Sequence, residues 1–221
     1  MSQPSNTFVT AYAGRMAADD LSADCLPTLD RPVEATLVAQ AVAGDREAFG
    51  QLVVLHERVA LRTALAALCR EEDAADVVQE AFLLAWRRLP TFRHDATFRT
   101  WLLTIVWREA QAKRKVRQRW WQRFTSVGPV APDTGRFALA WVTGEADPEQ
   151  CTLDRELAER TARAIAGLPQ KLRDTLLLAA SGEHAYSEIG KVLGVAEGTI
   201  KWRVAEARRL VRQALEGHRE G

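Results

Sequence analysis

Apolar residues along this chain fall at helical intervals nearly throughout. Leu37, Ala41, Phe49, Leu52, Val53 and Leu55 lie at steps of three and four, the interval that returns a side chain to one face of a helix. Gly44 and Asp45 interrupt this run. Asp45 is suited to cap the next helix, because a short carboxylate accepts from the free N–H groups of a first turn. A further helix is expected from about Asp73 to Leu89, with Val78, Phe82, Ala85 and Leu89 as its buried stripe and Pro90 as its stop. Another begins near Ala96 or Thr97 and carries Phe98, Trp101, Leu102 and Ile105 inward. A second helical block runs from about Glu149 to Ala214. Between the blocks, Gly128, Pro129, Pro132, Gly135, Gly144 and Pro148 break the period, with one apolar piece around Phe137–Val142. Residues 1–32 are polar and punctuated by Pro4, Pro27 and Pro32. Alternating strand patterns bounded by turn residues are absent. The pattern predicts an all-α protein: a disordered leader 1–32, a helical domain 33–124, a flexible linker 125–148 and a helical domain 149–216.

Composition narrows the class and charge distribution sharpens it. The chain has 221 residues, 47% of them hydrophobic, enough to bury a core. No apolar run reaches the length of a membrane span. Asp19, Asp20 and Asp24 stand where a signal peptide would be basic and then apolar. Cys25, Cys69 and Cys151 are far apart and odd in number, which argues against a disulfide framework and a structural zinc. A soluble cytoplasmic protein is expected. The net charge is +1, but the charges are segregated. Arg87, Arg88, Arg93, Arg99, Arg108, Lys113, Arg114, Lys115, Arg117, Arg119 and Arg123 are opposed over the same stretch only by Asp95 and Glu109. The stretch just before, Glu71 to Glu80, holds five acids (Glu71, Glu72, Asp73, Asp76, Glu80) and no base. A second basic run follows Thr199. Two basic surfaces point to two contacts with a polyanion. Trp101, Trp107, Trp120, Trp121 and Phe124 interleave with the first run. Cations beside rings suit single-stranded nucleic acid, whose phosphates and unstacked bases need both. Trp101 lies on the buried stripe, leaving Trp107, Trp120 and Trp121 as candidates for exposure.

The segment from Ser187 to Val204 has the spacing of a DNA-binding helix-turn-helix. Ile189 and Leu193 are placed to pack inward, Gly194 to take the positive φ of a tight turn, and Gly190 to let the second helix approach. Ile200 and Val204 bury the inner side of that second helix. Glu197, Thr199, Lys201, Trp202, Arg203 and Arg208 are then available to DNA.

These blocks resemble a known family. The run Asp73–Trp86 (DAADVVQEAFLLAW) and the following FRTWLLTI, Phe98–Ile105, resemble region 2 of the sigma-70 family in its extracytoplasmic-function (ECF) branch. Leu168–Leu178 (LPQKLRDTLLL), Tyr186–Ile189 and Gly198–Lys201 resemble its region 4. The resemblance covers about residues 35–215. It implies a transcription initiation factor that binds core RNA polymerase and carries it to promoters. Region 2 would dock on the polymerase through Asp76, Gln79, Glu80, Leu83 and Arg87, which fall opposite the buried stripe of their helix. It would capture the non-template strand of the minus-ten element through Trp107, Arg108, Lys113, Arg114, Lys115, Arg117 and Arg119. Region 4 would read the minus-thirty-five duplex through Glu197, Thr199, Lys201, Trp202, Arg203 and Arg208. An anti-sigma factor is the further partner implied, while no cofactor, metal or catalytic residue is. Several positions depart from the family's habit. Arg108 and Ala112 stand for Asn and Asp, Ala185 for a capping Ser or Thr, Trp202 for Ser, and Glu206 for Arg.

The residues bear on three other classes. An enzyme is disfavoured because His56, His94, His184 and His218 form no pair at metal-ligand spacing. A free-standing helix-turn-helix regulator needs neither the acidic Asp76–Glu80 face nor the tryptophan-rich basic helix. An interaction protein that has lost promoter binding would account for the region 4 departures.

Overall fold

The computed structural model describes residues 31–124 and 152–216. The rest of the expected leader, the linker with its Phe137–Val142 piece, Cys25, Cys151 and His218 lie outside the described residues. All described elements are helical, as the periodicity predicts.

The first half stacks four helices: α1 (Arg31–Val42), α2 (Arg46–Leu68), α3 (Glu71–Arg88) and α4 (Phe98–Phe124). Helix α1 thus takes in the last two residues of the expected leader, 31 and 32. Asp45 caps α2 as expected, accepting from the N–H groups of Glu47 and Ala48 at 2.8 and 3.2 Å. Helix α2 ends on Cys69 in the left-handed conformation, φ 53°, its N–H bonded to the Leu65 carbonyl. That cysteine is buried, and burial pushes its thiol up to about 11, so it stays a neutral small apolar residue at neutral pH. Helix α3 buries Ala74, Val77, Val78, Ala81, Phe82 and Ala85 at helical intervals. A short turn of 3₁₀ helix, Leu89–Thr91, carries Pro90 and stops it. Helix α4 begins one or two residues later than the pattern placed it and buries Phe98, Leu102, Leu103, Ile105, Val106 and Ala110 against α2 and α3.

The second half holds α5 (Thr152–Gly167), α6 (Gln170–Ala180), α7 (Tyr186–Leu193) and α8 (Glu197–Glu216). Helices α7 and α8 make the helix-turn-helix. Gly194 closes α7 at φ 68°. A Cβ on Gly190 would stand 2.8 Å from the Val195 carbonyl oxygen, so only glycine permits this turn to fold so tightly against α7. Ile189, Ile200 and Val204 are buried as expected; Val192 is buried too, and Leu193 only half so. Ala185 is the N-cap of α7, extended and without a side-chain acceptor.

The two halves pack directly on one another, α6 against α2 and α7 against α4, and their buried residues form one cluster.

Candidate nucleic-acid interface and docking face

The outer side of α3 is built by its period. With Val78, Phe82 and Ala85 inward, Asp76, Gln79, Glu80, Leu83 and Arg87 are all exposed, Leu83 by 62%. Beside this face an open groove of about 530 Å³ runs between α2 and α3, lined by Phe49, Val53, Val78, Phe82, Leu83 and Trp86, with polar Arg46, Glu57 and Gln79. Phe49 and Trp86 support each other with ring centroids 5.0 Å apart. An apolar trough flanked by charges fits a partner helix better than it fits water. The α3 period marked Gln79 and Leu83. It missed Phe49 and Val53, which a second helix, α2, lays alongside, and Trp86 of α3, which packs on Phe49.

The basic helix α4 does not present all its cations alike. Arg108, Lys115 and Arg119 are exposed. Lys113 instead bonds Asp76 at 2.9 Å and Asp73 at 3.2 Å, and Arg117 bonds Asp73 at 2.8 Å. Burial alone would raise the Asp73 carboxyl; the bonds and charges of Lys113, Arg117 and Arg70 outweigh it and hold the group below its usual value. Burial likewise works against the Lys113 ammonium, and Asp76 and Asp73 outweigh it to raise that group. Arg114 is taken up by Asp174 of the second half. The expectation that Trp107 is exposed fails: it is buried at 6%, because α4 turns that side onto the core. Trp101 is half-buried against the core, Trp120 is 53% exposed, and the Trp121 side chain lies outside the described residues. Exposed Val116 and Trp120 thus share a face one turn apart, next to Lys115 and Arg119.

On α8, Lys201 and Trp202 are exposed, Trp202 by 62%, and Thr199, Arg203 and Arg208 are half-exposed. Glu197 pairs with Lys201 at 2.8 Å and raises its ammonium. Glu206 is engaged by Arg209 at 2.6 Å, which holds the carboxyl down and neutralises the acid that would oppose a phosphate. The residues expected to reach DNA therefore spread around the part of α8 that the core does not take, Ile200, Val204 and Ala207 being buried.

The histidines have structural surroundings. His56 is buried and meets Glu34 at 3.2 Å; His184 is buried between Thr63 and Glu188. No group of acids, cysteines and histidines among the described residues could hold a metal. No helix among them is long and apolar enough to cross a membrane.

Comparison with known proteins matches residues 52–122 to sigma-70 region 2 and residues 158–211 to sigma-70 region 4. The chain is 34% identical over 175 residues to the ECF RNA polymerase sigma factor SigM of Mycobacterium tuberculosis, covering 79% of this chain and 81% of that protein. It belongs to the ECF branch of the sigma-70 family. It is also 31% identical over 176 residues to the ECF RNA polymerase sigma-E factor of Escherichia coli, 79% of this chain and 90% of that one. Two solved structures share the fold of this ECF factor. CnrH, solved in complex with the cytosolic domain of CnrY, superposes with a TM-score of 0.57 at 24% identity, over 84% of this chain and 98% of that one. The sigma factor RpoE of Bartonella quintana, solved with the anti-sigma factor NepR, gives 0.55 at 23% identity, over 76% and 96%.

Proposed function

We propose that this chain is a bacterial transcription initiation factor. Its first half docks on core RNA polymerase and captures a melted promoter strand, and its second half reads an upstream duplex element. The observation that carries the reading is the pairing, in one chain of this family, of an exposed apolar groove on α2–α3 with cationic surfaces on α4 and α8. A regulator that binds DNA alone has no use for the groove. Docking runs through Gln79 and Leu83 at the groove, with Asp76, Glu80 and Arg87 around it. Strand capture runs through Arg108, Lys115 and Arg119, with Trp120 as a stacking ring. Lys113, Arg114 and Arg117 already hold carboxylates and contribute only where those release them. Duplex reading runs through Lys201, Trp202, Arg203 and Arg208, with Thr199 and Glu197 at the helix start. No bond is made or broken by the protein. Melting costs a few kcal/mol per unstacked step, and captured bases return a similar amount. The chain acts in the cytoplasm, where the polymerase is. An anti-sigma factor holds it inactive, as NepR is paired with the RpoE that shares its fold.

The test is purified chain with bacterial core polymerase, in a pull-down followed by run-off transcription on a pool of promoter fragments. The expected result is a complex and new start sites. Leu83→Arg, which puts a charge into the groove at an exposed position, should abolish the complex while leaving the helical circular dichroism unchanged. Duplex binding with no affinity for core would instead favour the free-standing regulator.

A further inference from the structure

Each residue along a helix turns by about 100°. The side chain two places beyond Ile200 and two before Val204 therefore points straight away from the core that buries both. That side chain is Trp202, 62% exposed. Its neighbours along the same line, one turn either way, are Gly198 and Ala205, both exposed and too small to cover the indole. The crest of α8 is thus one bare ring with room around it, and its single polar group is the indole N–H. Charge stands to either side. Lys201 lies about 100° round in one direction and Arg203 about 100° in the other. Lys201 is held by Glu197 at 2.8 Å, and further along the crest Arg209 is held by Glu206 at 2.6 Å. Arg203 and Arg208 meet no carboxylate among the described residues.

The major groove offers such a ring one apolar partner. Every base edge there carries hydrogen-bonding groups, and thymine alone adds a methyl group, at C5. A ring face set against guanine or cytosine leaves donors or acceptors unpaired and out of water, a cost that outweighs the contact. Against a thymine methyl, two apolar surfaces leave water together. A single exposed apolar side chain is ordinary on a protein surface, but this one stands at the crest of the helix that would enter the groove. We propose that Trp202 is a specificity-determining residue of the duplex reader: its indole packs on the C5 methyl of a thymine, while Arg203 and Arg208 hold phosphates along the groove. The preferred upstream element then carries a thymine that is selected through its methyl group rather than its hydrogen-bonding edge, and 5-methylcytosine presents the same methyl. The inference rests on the duplex-reading role of α8 given above.

The experiment uses holoenzyme, the full chain bound to bacterial core polymerase. Duplexes randomised over about ten base pairs, one helical turn, upstream of a start site found by run-off are selected for binding. Each thymine of the selected element is then replaced in turn by deoxyuracil, which removes the methyl and keeps the hydrogen-bonding edge. Wild type should lose about fourfold in affinity at one thymine, the effect of burying one methyl. A 5-methylcytosine–guanine pair at that position should bind more tightly than a cytosine–guanine pair. Trp202→Ser, at an exposed position that leaves the helical circular dichroism unchanged, should bind the thymine and deoxyuracil duplexes equally. Selection repeated with that variant should no longer recover the thymine. A selected element without thymine, affinity indifferent to every methyl, or a Trp202→Ser holoenzyme that keeps the wild-type preference overturns the proposal. Indifference to every methyl is also the outcome for a ring that holds a protein partner instead. A chain that forms no holoenzyme, or a holoenzyme that selects no upstream element, overturns the functional reading and the proposal with it.

Discussion

Lysines and arginines that look equivalent in a basic run differ once each is given a partner. Lys113 and Lys115 are two positions apart on α4, yet Lys113 is engaged by Asp73 and Asp76 while Lys115 is exposed at the open cleft between α4 and α7. A cation already neutralised by a carboxylate releases few counterions on meeting a phosphate. Arg108→Ala with Lys115→Ala should therefore lower the slope of log affinity against log salt for single-stranded DNA by about 0.7 per contact. Lys113→Ala should leave that slope nearly unchanged, and titrations between 50 and 200 mM salt would distinguish the two. Charge density along α4 was legible in the sequence. Which cations were spoken for was not, because Asp73 and Asp174 come from other helices, 40 and 60 residues away from Lys113 and Arg114.

At the scale of elements, the helix-turn-helix was the most legible part. Its glycines and inner aliphatics follow from turn sterics and helical period, both local. Gly190→Ala should force the Val195 carbonyl to move, cost about 1–3 kcal/mol, and abolish duplex binding by displacing α8. Ala185→Ser should do the reverse for stability. The site is already extended and lacks only an acceptor, so about 1 kcal/mol is expected, a rise in Tm of about 2–4 °C. The α3–α4 ion network gives a pH signature. Asp73 is held below its unfolded value, so its contribution is complete above the ordinary carboxylate range and disappears as pH falls through the lower folded value. Asp73→Asn should lower Tm by about 2–4 °C at pH 7, for a loss of about 1 kcal/mol. The gap should close towards pH 2, and thermal melts across that range check it.

For the whole molecule, helical period gave two all-α halves but could not give their mutual placement. That placement depends on Arg99, Asp174, His184 and Glu188, residues whose types are unremarkable in sequence and whose meaning comes from contacts across the seam. Glu188 shows the balance: burial works against its carboxylate, and His184 and Arg99 together outweigh burial and hold the group ionised. Burial at Asp174 wins instead, pushing that carboxyl up despite Arg114. Protonation therefore weakens the Glu188 contacts as pH falls through its lowered folded value.

Consecutive residues on α4 answer to three different masters. Lys113 leans on α3, Arg114 reaches across to α6, and Lys115 looks out to the cleft. Each step along a helix rotates by about 100°, so this division of labour is a matter of phase. One residue inserted ahead of Lys113 would hand each side chain its neighbour's post at once, and one deleted would do so in the other direction. On helix α4, therefore, register matters as much as residue type.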